Sequence, residues 1–468
     1  MTLDLTKGSP LKRIIFFAIP FLIGNIFQQF YNIADMIIVG RTLNSLAYAA
    51  VGSTGSLVWF ASGAIQSLTV GFSVVTAQHF GAGDKEKIKE SFASAIKLSF
   101  IISVSLSLFC VLLARPMLSF MRTPENLFED AYDYIVWVFG GLIATALFNL
   151  LSNMIRALGD SRTPLYFLII ACVVNIILDI VFITLFHMGT AGAGLATVIA
   201  QLVSGILCAI YIVKKHPMLH MKKAHFKSNP AMAKHLLHIG IPMAFLNMVL
   251  SVGSIIVQFV TNGFGDIYVS SHVTGSKIET FLTQPLLSFG SAVSVFTAQN
   301  YGAQNYKRVL EGSKKTVYLC FLWCVIAALI LLPFGKTFIR WIAGADIDEV
   351  IVNNAYMYIL INTSLTPVLS MLIIYKSILQ AVGRTTSSMV SGFTEVIGRG
   401  GVAVVVVLLT EMALVSETAG FIVVCLANPM AWLFGLLTII ADYVLMCRSF
   451  RRMIREAEAG SASESSLS

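Results

Sequence analysis

Long apolar stretches alternate with short polar segments along the whole chain. A helix needs about 20 apolar residues to cross roughly 30 Å of hydrocarbon. The pattern therefore predicts twelve membrane-spanning helices, at residues 13–40, 46–77, 92–114, 132–156, 164–186, 191–213, 236–262, 268–298, 316–335, 351–381, 387–410 and 418–447. The first stretch is too long for a signal peptide and no small-residue cleavage site follows it, so we expect it to remain in the membrane.

A repeated segment divides this pattern into two halves. SVVTAQHFGAGDKEKI begins at Ser73, and SVFTAQNYGAQNYKRV begins 221 positions later at Ser294. A repeat at a fixed offset indicates two copies of one unit, and six spans per copy give both copies the same orientation in the membrane. We also match two further pairs at a similar offset, Ile19-Pro20 with Ile241-Pro242 and Ala157-Leu158-Gly159 with Ala381-Val382-Gly383.

The sequence thus predicts an all-α integral membrane protein built from two pseudo-symmetric six-helix bundles. We assign residues 1–213 to an N-lobe with helices 1–6, and residues 236–447 to a C-lobe with helices 7–12. Residues 214–235 form a basic linker on the cytoplasmic side, and residues 448–468 form a cytoplasmic tail whose low apolar content predicts disorder. Gly81 and Gly302 are predicted to end the second and eighth helices.

Composition and charge support a membrane protein with both termini inside the cell. Hydrophobic residues make up 57% of the chain and charged residues 12%, against about 25% charged in soluble domains. With the N-terminus inside, 23 lysines and arginines fall in cytoplasmic segments and five, including Arg122, in external ones. The net charge of +8 then indicates contact with anionic lipids of the cell membrane rather than with nucleic acid. The seven cysteines lack metal-ligand spacing, so we expect reduced packing residues.

Ionisable groups inside predicted spans are the candidate functional residues, because a charge in hydrocarbon is costly. Asp35 lies in the first span, and Tyr31, Asn32 and Gln28 precede it on the same helical face.

The fifth and sixth spans carry similar polar pairs. Asp179 has Asn175 four residues earlier, and Thr197 and Gln201 are also four residues apart. Two carboxylates among neutral oxygens can hold a proton or a sodium ion, so we predict a site for H⁺ or Na⁺ at Asp35 and Asp179. The alternative is that these groups only join helices by hydrogen bonds. For Gln28, Thr197 and Gln201 taken alone, we favour packing or cavity lining without ion contact.

The second half carries different polar residues. Its seventh span has an uncharged polar face, and no acid recurs at the position that corresponds to Asp35. Glu395 and Arg399 are four positions apart, so we favour a neutralising pair within one helix. Glu279 either pairs with Lys376 or attracts a cationic substrate. The residues of the polar face are Asn247, Ser251, Ser254 and Gln258, and Lys277 precedes Glu279 in the eighth span.

The spans contain no motif of an intramembrane enzyme. We find no H-E-x-x-H, no aspartate-rich metal motif and no G-x-S-x-G within them. We therefore expect no catalytic residues and no cofactor other than the coupling ion. A receptor that transports nothing would explain neither the duplication nor the buried acids.

The chain resembles the multidrug and toxic compound extrusion (MATE) family, within the larger MOP group of lipid and oligosaccharide flippases. The resemblance covers residues 10–447 and is carried by PFLIGNIFQQFYNIADMIIVG at 20–40, NIILDIVFI at 175–183 and the TAQ-x-[FY]-GA segment in each half. It is closest to bacterial drug exporters. This resemblance implies a V-shaped pair of bundles around a central cavity that exchanges substrate outward for inward H⁺ or Na⁺.

Residue roles follow from the same resemblance. The cation site of such members maps onto Asp35, Asn175, Asp179 and Thr197, with Tyr31 and Asn153 nearby. Some members instead place carboxylates on helices 7 and 10, where this chain has Asn247 or Ser251 and Lys376. The predicted substrate cavity comprises Gln28, Asn32, Asn153, Gln201, Asn247, Ser251, Glu279 and Met36.

We expect bulky organic cations as substrates, because acids and aromatic rings accommodate cationic rings. Met36 can adapt such a cavity to different shapes, although core or lipid-facing packing is the more ordinary role of methionine. Uptake of a cation at Asp35 and Asp179 would favour a changed first helix, about Pro20. We expect a monomer in contact with membrane lipids. The alternative substrate is a lipid-linked oligosaccharide precursor, whose pyrophosphate Lys277, Lys376 and Arg399 could bind.

Overall fold

The computed structural model describes residues 3–121, 123–226, 229–344, 347–412 and 416–465. Within these ranges the regular structure is helical, with no β-strand. The fold class predicted from the sequence is therefore confirmed. Arg122 and Lys227, which entered the charge count, lie outside the described residues.

The helices of the first half follow the predicted spans closely. A π-helical turn at Val181–Leu185 extends the seventh helix. The segment between the halves contains two short 3₁₀ turns, Pro217–Leu219 and Lys223–Phe226. The helices are α1 (Pro10–Thr42), α2 (Ser45–Gly81), α3 (Lys85–Leu112), α4 (Ala114–Phe120), α5 (Glu125–Gly140), α6 (Leu142–Ala157), α7 (Arg162–Ile180) and α8 (Gly189–Lys215).

The second half begins with a helix that contains an internal proline, Pro242, as α1 contains Pro20. Its helices are α9 (Pro230–Asn262), α10 (Asp266–Gly302), α11 (Tyr306–Ala343), α12 (Glu349–Ala381), α13 (Thr385–Glu411), α14 (Glu417–Cys425) and α15 (Ala427–Ser465).

Eleven helices in the described ranges are long and apolar enough to span a membrane, and α5 with α6 forms a twelfth, broken span. These correspond to the twelve predicted spans. The axes of α5 and α6 differ by 45°, and Gly141 separates the two helices. A Cβ atom at Gly141 would lie 2.0 Å from Cγ2 of Val198, so the break coincides with a close approach of α8.

Large apolar side chains cover the outer surfaces of the helices. Leu329 is 69% exposed and Leu437 is 60% exposed. Such exposure would be unfavourable in water, and it is the expected state of a helix that faces lipid.

The repeated segment forms the same turn in both halves. As predicted, α2 ends at Gly81 and α10 ends at Gly302. The chain then takes a positive φ at Gly83 (72°) and at Gln304 (56°). Asp84 caps α3 by accepting a hydrogen bond from the Lys87 backbone N–H at 3.1 Å, and this bond holds the pKa of the Asp84 carboxyl below its ordinary value.

A second matched pair shares its backbone geometry. Gly159 follows α6 with φ 91°, and Gly383 follows α12 with φ 88°. L-residues rarely adopt this conformation, which explains a glycine at both positions. The repeat in the sequence is therefore a repeat in the backbone.

The chain forms two compact units. The first comprises Phe16–Met248 together with the N-terminal residues up to Lys7, and the second comprises Gly8–Ile15 together with the residues from Val249 onward. The division falls within α9, whereas the sequence placed it at the linker 214–235. The first part of α9 packs on α2 because two glycines meet there: a Cβ atom at Gly71 would lie 2.6 Å from Cα of Gly240.

Each unit has its own apolar core. In the first unit, Ile65, Ile135 and Phe139 pack together between α2 and α5. In the second, Ile278 and Ile359 pack between α10 and α12. These cores hold rigid helices on which polar side chains can be positioned inside the membrane.

The tail prediction was wrong for residues 448–465. The last helix continues through Ser465 instead of becoming disordered. Residues such as Ala, Glu and Arg in this segment favour helix, and Arg452 pairs with Glu456 one turn later at 2.7 Å. Residues 466–468 lie outside the described residues.

Candidate functional site

The carboxyl groups of Asp35 and Asp179 meet inside the first unit. They project from α1 and α7 and lie close enough for electrostatic interaction. Asp35 is 6% exposed and Asp179 is fully buried. Two adjacent buried carboxyls repel each other when both are ionised, so the pair favours a bound proton or cation.

Asn175 and Thr197 complete one side of this pair. In one orientation of the Asn175 amide, its nitrogen donates to Oδ2 of Asp179 at 3.0 Å and its oxygen accepts from the Thr197 backbone N–H at 3.3 Å. In the other orientation, the nitrogen donates to Oγ1 of Thr197 at 3.5 Å. We favour the first, because it gives both amide atoms complementary partners. Asn175 therefore joins Asp179 to α8.

Three oxygens of the site have no hydrogen-bond partner among the described residues. They are the Tyr31 hydroxyl, Oδ1 of Asp35 and Oδ1 of Asp179. Buried polar atoms in native proteins are normally paired, so these three oxygens are available to a further partner. Oxygens of carboxyl and hydroxyl groups suit a proton or a small hard cation. No group of three or more His, Cys, Asp or Glu side chains capable of holding a metal occurs in the described ranges.

Tyr134 is a member of this site that the sequence reasoning missed. It projects from α5, is 8% exposed, and lies close enough to Asp35, Tyr31 and Asp179 for electrostatic interaction. It also packs on Val138 in the adjoining apolar cluster. Helical spacing places residues on one face of their own helix, and nothing in the sequence showed that this face of α5 adjoins α1.

The predicted polar face of α1 divides into two parts. Tyr31 and Asp35 are buried, whereas Asn32 is exposed and Gln28 is half-buried. The Gln28 amide nitrogen donates to Oδ1 of Asn32 at 3.5 Å. These two amides therefore bond to each other and are not buried with the acids.

Asn153 belongs to another cluster in the first unit. Its amide nitrogen donates to Oγ1 of Thr69 at 3.2 Å, and its oxygen accepts from Nη1 of Arg156 at 3.2 Å. The Arg156 guanidinium stacks over the Phe21 ring at 4.5 Å. This arrangement holds Asn153 between α2 and the end of α6.

The remaining predicted cavity residues of the first unit contact neighbouring helices. Oε1 of Gln201 is buried without a partner in the described part of the chain. The Met36 methyl packs near Gly52 of α2, and the Asn247 amide packs closely on Gly63. Ser251, in the second unit, is half-buried on α9. Their role in a substrate cavity remains a prediction.

The second unit contains its own buried polar network. Nε of Arg399 donates to Oδ1 of Asn428 at 3.1 Å, and the Asn428 nitrogen donates to the Tyr358 hydroxyl at 3.3 Å. The Tyr358 hydroxyl in turn donates to Oε2 of Glu279. The His272 ring lies edge-on to Tyr358, with 5.1 Å between ring centroids. The chain of donors ends at the Glu279 carboxyl group.

An adjacent ion pair corrects two expectations about this unit. Nζ of Lys376 donates to Oε1 of Glu395, and Ser391 donates to the same oxygen at 3.3 Å. Glu395 therefore pairs across helices with Lys376 instead of with Arg399, and Lys376 is not the partner of Glu279. Packing between α12 and α13 brings Lys376 to Glu395, whereas Arg399 donates its hydrogen bond to the Asn428 side chain on α15.

The chain matches the family model MatE over residues 20–181 and 242–399. The two matched segments lie one in each half and correspond to the repeat described above.

Several bacterial proteins are similar over most of their length. The probable multidrug resistance protein YpnP of Bacillus subtilis is 28% identical over 72% of this chain and 75% of its own. The FAD transporter of Shewanella oneidensis is 25% identical over 82% of this chain and 85% of its own. The multidrug export protein MepA of Staphylococcus haemolyticus is 21% identical over 71% of this chain and 74% of its own.

Solved structures share the fold. A MATE crystal structure in the bent conformation superposes with a TM-score of 0.86, at 20% identity, over 96% of this chain and all of the other. A MOP superfamily transporter from Pyrococcus furiosus, described as having a binding pocket of reversed polarity, superposes with a TM-score of 0.85 at 21% identity. The superposition covers 95% of this chain and 99% of the other. With a family model that matches more than half of its length, the chain belongs to the MatE family of membrane transporters.

Proposed function

We propose that this chain is a secondary active multidrug exporter that moves bulky organic cations outward in exchange for inward H⁺ or Na⁺ by alternating access. It works as a monomer in the cell membrane, with both termini in the cytoplasm. The observation that carries the proposal is the buried contact between Asp35 and Asp179, whose free oxygens can accept one positive charge.

The names of the relatives support export of drugs. YpnP is described as a probable multidrug resistance protein and MepA as a multidrug export protein. At 21–28% identity, the individual substrates do not transfer from them, so the class of bulky organic cations rests on the acidic and aromatic groups predicted to line the cavity.

Ion uptake would change the contacts of α1. With no ion bound, charge on both carboxyls makes the approach of α1 to α7 and α8 unfavourable. A bound proton or Na⁺ neutralises one of the two charges and so stabilises the close approach of these helices. Asn175 donates to Asp179 on α7 and accepts from the Thr197 backbone on α8, so it holds Asp179 in place beside α8. The ion thereby stabilises one position of α1, and we propose that this position favours release of substrate.

The electrical balance of the exchange is fixed by its charges. One H⁺ or Na⁺ entering for one monovalent organic cation leaving moves no net charge. The ion gradient alone would then drive transport, because the membrane potential acts only on net charge movement.

A second candidate is flipping of a lipid-linked oligosaccharide precursor, which would require several cationic groups to bind pyrophosphate. Lys277 is exposed, but Lys376 is paired with Glu395 and Arg399 donates to Asn428. Because Lys376 and Arg399 already have partners within the protein, they are less suited to bind pyrophosphate, and this favours drug export over the flippase.

The test uses purified protein in liposomes loaded with an organic-cation dye. Efflux is measured under an imposed pH gradient and, separately, under an imposed Na⁺ gradient. Efflux under either gradient, and none without one, supports the proposal and identifies the ion. A parallel arm with FAD, prompted by the Shewanella oneidensis relative, tests an anionic substrate; transport of FAD without transport of any cation would contradict the proposed substrate class.

A further inference from the structure

A crevice of about 760 Å³ lies within the first unit, apart from the acids of α1 and α7. Its walls come from α3, α6 and α8, represented by Ile96, Leu147 and Ile212. α3 and α8 each pack on α6, so α6 forms the floor and the other two helices form the sides. The volume falls within the range of about 300–1,000 Å³ that is usual for ligand pockets.

The walls of this crevice are suited to a hydrocarbon chain. Apolar side chains provide nearly all of the lining, and the Ser99 hydroxyl, which lacks a partner in the described ranges, is a rare polar group there. A cavity with so few polar partners does not hold ordered water well. Phe100 and Val213, on opposite sides, are 60% and 65% exposed, so the crevice is open between α3 and α8, where the surrounding solvent is lipid.

The segment after α8 closes one end of the crevice. Leu219 lines the crevice and is 1% exposed. His220 contacts the Val213 carbonyl oxygen through Nε2 at 2.7 Å, which folds the segment back over α8. This segment was predicted as an inter-lobe linker, and the structure gives it a defined position.

Further contacts hold the same segment on the beginning of α3. Nε2 of His225 lies 2.9 Å from Oε2 of Glu86, and Nζ of Lys97 donates to the Phe226 carbonyl oxygen at 3.5 Å. The Asn229 amide nitrogen donates to Glu90 at 3.2 Å. Glu86 and Glu90 are therefore both occupied by the segment itself.

Lysines surround the closed end. Lys97, Lys214 and Lys222 are exposed, and each directly follows a residue that lines the crevice, namely Ile96, Val213 and Met221. Positive charge beside an apolar crevice complements an anionic lipid, whose phosphate remains at the membrane surface while its chains enter the hydrocarbon. A zwitterionic lipid would gain little from these lysines.

We propose that the crevice between α3, α6 and α8 binds an acyl chain of an anionic phospholipid, with the phosphate beside the lysines of the closed end. This lipid is a bound component of the transporter and is not transported. It contacts α8 and the segment that leads from α8 to α9, so its binding stabilises the folded position of that segment.

The test measures lipid binding without transport. Purified protein in detergent is titrated with phosphatidylglycerol and with phosphatidylcholine, and retained lipid is counted by native mass spectrometry. We expect retained phosphatidylglycerol and a higher Tm with it than with phosphatidylcholine. K97Q with K222Q should weaken phosphatidylglycerol binding by about 30-fold, whereas the matched pair K307Q with K314Q, two exposed lysines of the second unit, should not.

A second variant tests the crevice itself. Ala209 lines the wall on α8, and A209F should fill the space and abolish retention of the lipid while leaving the Tm in lipid-free detergent unchanged. If A209F does not fold, the lysine variants decide the question.

Three outcomes would overturn the inference. One is equal retention of both lipids, and another is retention by K97Q with K222Q equal to that of the wild type. The third is loss of dye binding in A209F, which would make the crevice a substrate site. Because none of these measurements needs efflux, failure here leaves the proposed export function untouched.

Discussion

Asp35 on α1 and Asp179 on α7 form a buried carboxyl pair, and Asn175 joins that pair to the Thr197 backbone on α8. α1 therefore meets the consecutive helices α7 and α8 at one buried polar contact, which we propose as the ion-binding site. The contact gives each of these polar residues a distinct expected effect on mutation.

Asn175→Leu should raise the affinity of the site for a coupling proton. The variant removes a hydrogen bond that stabilises the charged form of Asp179, and such bonds contribute about 1.5–3 kcal/mol. Under a pH gradient, the proton concentration for half-maximal efflux should therefore fall by about 10- to 100-fold. Asn149→Leu is the matched control, because in the described ranges the Asn149 amide donates only to the Thr145 carbonyl of its own helix. Equal effects of the two variants would remove Asn175 from the site.

Lys376 and Glu395 should show strong coupling in stability. Their side chains are 12% and 5% exposed, so Lys376→Met or Glu395→Leu leaves one buried charge unpaired, at a cost of about 3–5 kcal/mol. The double variant should recover most of that loss. Thermal unfolding of the four purified proteins measures the coupling, and additive losses would mean that the two groups do not act as a pair.

Gly159→Ala should destabilise the protein more than Gly83→Ala. Both glycines have a positive φ, which costs an alanine about 1–2 kcal/mol. A methyl group at Gly159 would also lie 2.1 Å from the Leu3 carbonyl oxygen, whereas the space around Gly83 is open. The larger fall in Tm is expected for Gly159→Ala, and the reverse order would contradict the docking of the N-terminal segment there.

Efflux of a monovalent cation should be independent of membrane potential. Exchange with one H⁺ or Na⁺ carries no net charge, whereas each uncompensated charge would gain about 2.3 kcal/mol per 100 mV. Liposomes clamped at different potentials with potassium and valinomycin, at a constant ion gradient, should show equal rates. A rate that follows the potential would indicate a different stoichiometry.

The spans and their repeat were predictable from the sequence because hydropathy and glycine positions report on each helix separately. The ends of α2 and α10 at Gly81 and Gly302 are examples. The break at Gly141 was not predictable, since its cause is the approach of Val198 from another helix.

Side-chain partners on different helices were harder to predict from the sequence. The spacing of Glu395 and Arg399 correctly places both on one helical face, but their partners, Lys376 and Asn428, come from α12 and α15. Tyr134 beside Asp35 was missed for the same reason. Periodicity shows which residues point the same way, and tertiary packing decides what they meet.

The most direct test of the account replaces Asp35 and Asp179 by Asn in separate variants. Dye efflux from liposomes is measured under whichever ion gradient drives the wild-type protein. Glu125→Gln, at an exposed acid of the same unit, serves as the control. We predict that each Asp variant inserts normally and loses gradient-driven efflux, whereas the control retains it. Full efflux by correctly inserted D35N or D179N would contradict the coupling role of the pair.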